Sequence, residues 1–129
     1  MKAYQDASLA PVRRAKALLE EMTLAEKIGQ LNQRLYGFRI YERKCVNGED
    51  TIELSEKFCQ EVEKYSGLGV LYGLYRADPW ADKDYETGLT GLLSKKAYNQ
   101  VQRYVLEHSR LGIPVMMSSE CPHGHQALD

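Results

Sequence analysis

The chain has 129 residues, 43% of them hydrophobic, and its 17 basic and 18 acidic side chains leave a formal net charge of −1. That length suits one domain with a modest core and falls well short of the roughly 250 residues of a complete eight-fold barrel. A near-zero charge offers no net field to a polyanion or an anionic membrane, so neither nucleic acid nor lipid is expected as a partner.

Met1 to Ala10 hold one Lys, one Asp and no apolar run, and no stretch of the chain is long enough to span a bilayer. Cys45, Cys59 and Cys121 cannot all pair within one chain, and their wide spacing lacks the density of a disulfide scaffold. Reduced thiols and a cytoplasmic setting are the expectation.

From Pro11 to Met22 the residues Val12, Ala15, Leu18, Leu19 and Met22 recur three and four apart, which predicts a helix with one stripe facing a partner and Pro11 in its first turn. Thr23-Leu24-Ala25-Glu26 has the capping-box pattern, in which the Thr hydroxyl and the Glu carboxylate each satisfy a free backbone N–H. A second helix is expected from Leu24 to about Leu35, so that helices occupy 11–35. Phe38, Ile40 and Tyr41 precede the turn dipeptide Asn47-Gly48, with Thr51-Ile52-Glu53-Leu54 beyond it, and predict a small exposed hairpin over 36–54. Ser55 can cap a helix over 55–66 that carries Phe58, Cys59, Val62 and Tyr65 at helical spacing and ends at Gly67.

Gly69-Val70-Leu71-Tyr72-Gly73-Leu74 is a short apolar run suited to a buried strand, and the polar stretch Arg76 to Thr90 reads as a long loop. Ala97, Val101, Tyr104, Val105, His108 and Leu111 make a helical stripe over Leu92 to Leu111, with His108 as a core histidine and Gly112 and Pro114 as the stop. Ile113 to Met117 is a second buried strand. Strand, helix and strand over 67–120 describe one βαβ unit with parallel strands. The fold class is α/β in a single domain, 1–129.

Loops leaving the carboxyl ends of parallel strands converge on one face, where ligands bind. Two segments qualify. The first, Tyr75 to Trp80, carries Arg76, Asp78 and the only Trp of the chain; the second, Ser118 to His125, carries Glu120, Cys121, His123 and His125. Thiolate, imidazole and carboxylate side by side suggest zinc, but no second ligand pair stands at structural spacing, and Pro122 with Gly124 fits a tight turn. No metal and no cofactor are assigned. Cys121 as a nucleophile lacks an identifiable base, and no catalytic residue is assigned to the chain.

Met22-Thr23-Leu24-Ala25-Glu26-Lys27-Ile28-Gly29-Gln30-Leu31 resembles the opening of family 3 glycoside hydrolases, where MTLEEKIGQL is a common form. His108-Ser109-Arg110-Leu111-Gly112-Ile113-Pro114-Val115 with Glu120-Cys121-Pro122-His123-Gly124-His125 is similar to that family's second barrel strand and the loop after it. With GVLYGLYRADPW the likeness runs through nearly the whole chain in order. The resemblance implies the N-terminal part of a (β/α)8 TIM-like barrel from a retaining, usually exo-acting hydrolase of β-linked glucosides or xylosides. It further implies an Asp nucleophile late in the barrel and an acid/base carboxylate from a later domain or loop, neither of which matches any position here, so the 129-residue chain is expected to be inactive alone. Glu120 matches the acidic residue that grips the terminal sugar, usually Asp in the family, and His123 matches the His of its His-Gly pair. Trp80 can face the C–H side of a sugar while Arg76 and Asp78 bond its hydroxyls.

Each assignment has a plainer counterpart: loop capping for Glu120, a bracing ion pair for Arg76 and Asp78, partial burial for Trp80. A two-stranded portion of a barrel is expected to self-associate or to bind the remainder of the barrel. The alternative is a non-catalytic interaction or sugar-binding module.

Overall fold

A computed structural model describes residues 2–128. Two small sheets and four α-helices make up the fold. Helix α1 (Pro11–Glu21) begins with Pro at its first turn, and helix α2 (Leu24–Gln30) begins with the expected capping box, Thr23 Oγ1 accepting from Glu26 N and Glu26 accepting from Thr23 N. Strands β1 (Tyr41–Val46) and β2 (Glu49–Leu54) form an antiparallel hairpin. Asn47 and Gly48 both take positive φ, 53° and 80°, as the tightest hairpin turn demands. Ser55 caps helix α3 (Glu56–Tyr65) by accepting from Phe58 N.

Strand β3 (Val70–Tyr72), helix α4 (Gly91–Glu107) and strand β4 (Met116–Ser118) follow, with β3 and β4 parallel and Val70, Leu71 and Tyr72 opposite Met116, Met117 and Ser118. The strands are shorter than the apolar runs that announce them. Gly73 turns the chain at φ 69° after Tyr72, and Pro114, with no N–H to give to a ladder, lies before β4. The core gathers Phe58 and Val62 of α3, Leu71 of β3, Val115 beside β4 and Leu93, Ala97, Val101 and Val105 of α4.

Five expectations are corrected. The second strand, expected buried over Ile113 to Met117, spans Met116–Ser118 and leaves Met116 exposed. Helix α2 stops at Gln30 rather than near Leu35: the chain entering β3 takes the Gly29 carbonyl of its last turn, from Gly69 N, and the Asn32 carbonyl just beyond it, from Val70 N, while Asn32 Oδ1 accepts from Arg34 N and turns the chain. The hairpin is not simply exposed. Ile40, Tyr41 and Ile52 are buried, and Gln100 of α4 donates to the Ile52 carbonyl at 3.1 Å. Helix α4 ends at Glu107, before Leu111, where Arg110 N is drawn instead to Ser66 Oγ at 2.9 Å. His108 is exposed rather than in the core, its ring stacked on Tyr104 at 3.9 Å.

The α1 stripe is largely open, with only Met22 at its end buried. No α1 residue is buried, and Ala15, Leu18 and Leu19 with Met22 and Leu31 line an apolar groove of about 430 Å³. Among the described residues no helix is long and apolar enough to cross a membrane.

Candidate functional site

The parallel pairing of β3 and β4 places Tyr72 opposite Ser118, so the loops leaving both strands start at the same end of the small sheet. A third segment joins them. Tyr36 makes a parallel bridge to Tyr72, and Gly37 lies so close to Leu74 that a Cβ there would stand 2.5 Å from the Leu74 Cα. Only glycine permits that approach, which brings the Tyr36 and Phe38 rings over the first loop.

Arg76 is the hub of the site. Its Nε and Nη2 both bond Asp78 Oδ2 at 2.8 Å, its Nη1 donates to Tyr72 Oη at 2.5 Å, and its guanidinium lies 4.6 Å from the Trp80 ring centroid. Asp78 Oδ1 accepts from Ala81 N at 2.7 Å, so both carboxylate oxygens are engaged. The guanidinium, together with the Ala81 N–H, holds the Asp78 carboxyl below the usual carboxylate range. A carboxylate kept ionised in this way cannot act as a general acid; Asp78 braces the loop and orients Arg76.

Glu120 stands across from this hub. Its Oε2 accepts from Tyr72 Oη at 2.9 Å and lies 3.8 Å from Arg76 Nη1, while its side chain is 70% exposed. Desolvation first, and the neighbouring Glu120 carboxylate next, push the Tyr72 phenol above its ordinary pKa, so it stays protonated as a donor. Among the described residues no hydrogen bond engages Glu120 Oε1, which leaves an acceptor facing solvent.

Trp80 is 48% exposed and packs edgewise against Tyr36 and Phe38, each with ring centroids 5.1 Å away. It also lines a cleft of about 430 Å³ with Phe38, Arg39, Tyr41, Glu42, Ser55 and Lys83. Arg76, Asp78, Trp80 and Glu120 are therefore brought together. His123 is exposed on the turn closed by the Pro122–Gly124 bridge and joins no described hydrogen bond with the others. His125 instead borders a cleft of about 220 Å³ with Leu74, Tyr75, Met117, Ser118 and Ser119. Among the described residues no group of three or more His, Cys, Asp and Glu side chains is placed to hold a metal ion.

Tyr36, Phe38 and Tyr72 were not singled out for the site in the sequence. Tyr72 carries a legible signal as the last residue of a strand whose outgoing loop was already selected. Tyr36 and Phe38 carry none, because their approach depends on the backbone contact of Gly37 with Leu74.

No protein-family model matches the chain. A protein of Formosa agariphila described as a "Putative beta-xylosidase" is 29% identical over 126 residues, which is 98% of this chain and 14% of that protein's length. The chain thus spans about one-seventh of the curated relative it matches, and nearly all of the chain takes part in the likeness.

Proposed function

We propose that this chain supplies the sugar-holding part of a retaining β-glycosidase of the family 3 type, acting on β-linked xylosides or glucosides from the chain end. In this reading β3, α4 and β4 are the first βαβ unit of a (β/α)8 barrel, and the nucleophile and acid/base lie outside residues 1–129. Retention requires two carboxyl groups about 5 Å apart on opposite faces of the anomeric carbon, one attacking while the other protonates the leaving oxygen. Asp78 is committed to Arg76, and Glu120 is held by a phenol, which suits the grip of non-reacting hydroxyls better than attack.

The observation that carries the reading is Glu120 itself: an exposed carboxylate, steadied on one oxygen and open on the other, paired with the guanidinium that packs on a half-exposed Trp, at the carboxyl ends of two parallel strands. A carboxylate accepts from adjacent hydroxyls, and an aromatic face takes the C–H side of a sugar ring. The likeness of nearly the whole chain, at 29% identity, to part of a protein described as a "Putative beta-xylosidase" supports the same substrate class.

The test is a titration of the chain with methyl β-xyloside and methyl β-glucoside, followed by the emission of its single Trp. Saturable change that is lost in Glu120→Gln is the expected result. Turnover of an aryl β-xyloside by the purified 129-residue chain would contradict the placement of the catalytic pair outside it.

A further inference from the structure

We infer that Tyr72 is a positioning residue for Glu120, setting the direction in which that carboxylate meets a sugar; this rests on the sugar-holding reading of Glu120. An exposed glutamate on a loop has three side-chain torsions and no packing to choose among them, so a fixed orientation needs a partner. Glu120 has one. Its Oε2 takes the Tyr72 hydroxyl at 2.9 Å, and the phenol stands on β3, in register with Ser118 just before the Glu120 loop.

The direction of that hydrogen bond is itself determined. Arg76 Nη1 donates to Tyr72 Oη at 2.5 Å, and a guanidinium has no acceptor, so the phenol must accept there and spend its only proton on Glu120. Arg76 in turn is held by Asp78, whose other oxygen is held by the Ala81 N–H. Order therefore passes from a backbone amide through Asp78, Arg76 and Tyr72 to a carboxylate that is otherwise in water. Arg76, by donating to the Tyr72 oxygen, polarises its O–H and strengthens the last bond of the chain.

Two consequences follow for the ligand. Oε1 of Glu120 is left as the acceptor for sugar hydroxyls, and the guanidinium of Arg76, engaged by Asp78, Tyr72 and the Trp80 ring, reaches Glu120 Oε2 both through the Tyr72 hydroxyl and as an ion pair at 3.8 Å. The ligand class this arrangement takes is a neutral saccharide with donor hydroxyls, since an anion would face the Glu120 carboxylate.

Tyr72→Phe removes the hydroxyl and keeps the ring against Tyr36. Titration with methyl β-xyloside, read by Trp80 emission, is expected to show affinity falling by roughly tenfold, the worth of one hydrogen bond to a charged group. Glu120→Gln should lose at least as much, and the double variant no more than Glu120→Gln alone, because the tyrosine acts only through the carboxylate. Full affinity in Tyr72→Phe with weakened Glu120→Gln overturns the positioning role and leaves the sugar site standing; full affinity in both, or no response from the unaltered chain, removes the sugar reading and this inference with it. A second readout guards against a purely structural effect. The Tyr72 phenol, followed by the NMR signal of its Cζ, should titrate at lower pH in Glu120→Gln, since the carboxylate no longer opposes the phenolate; an unmoved titration overturns the proposal even if affinity falls.

Discussion

Arg110 closes on Glu26 with two hydrogen bonds, Nε to Oε1 at 2.9 Å and Nη2 to Oε2 at 2.7 Å, and the same Nη2 donates to the Glu21 carbonyl at 2.8 Å. One guanidinium thereby ties the end of α1, the first turn of α2 and the chain leaving α4. Glu26 is 5% exposed and also accepts from the Thr23 N–H and hydroxyl, so the carboxylate that completes a helix cap is also the anchor for a distant segment.

Replacing Arg110 by Met should lower the melting temperature by several degrees. The loss comes from leaving a buried carboxylate without its cation, a cost larger than the worth of a surface pair. Glu26→Gln, which removes the charge together with the need to neutralise it, should be milder. Thermal unfolding followed by circular dichroism ranks the two; an Arg110→Met chain as stable as the unaltered one would show that Thr23 alone satisfies Glu26.

The same pair makes stability acid-sensitive. Arg110 first, with Thr23, lowers the Glu26 pKa from 4.5 to about 2, against the opposing effect of burial. A carboxyl depressed on folding stabilises fully above its unfolded pKa, and that contribution drains away as pH falls from about 4.5 through about 2. Melting curves of the unaltered chain and Glu26→Gln, collected from pH 6 downward, should converge across that window. Parallel curves would assign the acid lability to other carboxylates.

Gly37→Ala should cost about 2 kcal/mol, in the range of overpacked sites, because its Cβ would meet backbone rather than a movable side chain. The change also pushes Tyr36 and Phe38 off Trp80. Urea unfolding gives the first quantity, and the emission maximum of the single Trp gives the second. A destabilised chain with unchanged emission would mean that the ring cluster survives without this approach.

Arg76→Ala should shift Trp80 emission toward that of a solvated indole, since a cation 4.6 Å from the ring centroid is withdrawn. Asp78→Asn should do less, because Tyr72 and Glu120 still hold the guanidinium near the ring. Equal shifts in the two variants would indicate that Asp78, rather than the cluster as a whole, places Arg76.

Much of the candidate site was readable before folding. Parallel strands send their outgoing loops to one face, which selects the loop of Arg76, Asp78 and Trp80 by position, while the family resemblance is what selects Glu120 in the second loop; the four side chains lie together. His123, selected only by its match to the family's His-Gly pair, joins no hydrogen bond with the hub among the described residues.

The sequence by itself determined the features that act within a few residues: the Thr23 to Glu26 cap, the Ser55 cap, the two left-handed residues of the Asn47-Gly48 turn, and the apolar runs that become β3 and β4. Their cause is local, since each donor, acceptor or φ preference finds its answer on neighbouring backbone. Only the tertiary structure decided where α2 and α4 stop, which face of the hairpin is buried, and which phenol steadies Glu120. Those outcomes depend on backbone groups and side chains dozens of residues apart competing for the same partner, as Arg110 competes with helix continuation through Ser66 and Glu26. Periodicity records what a residue prefers to bury; it carries no record of which distant group will reach it first.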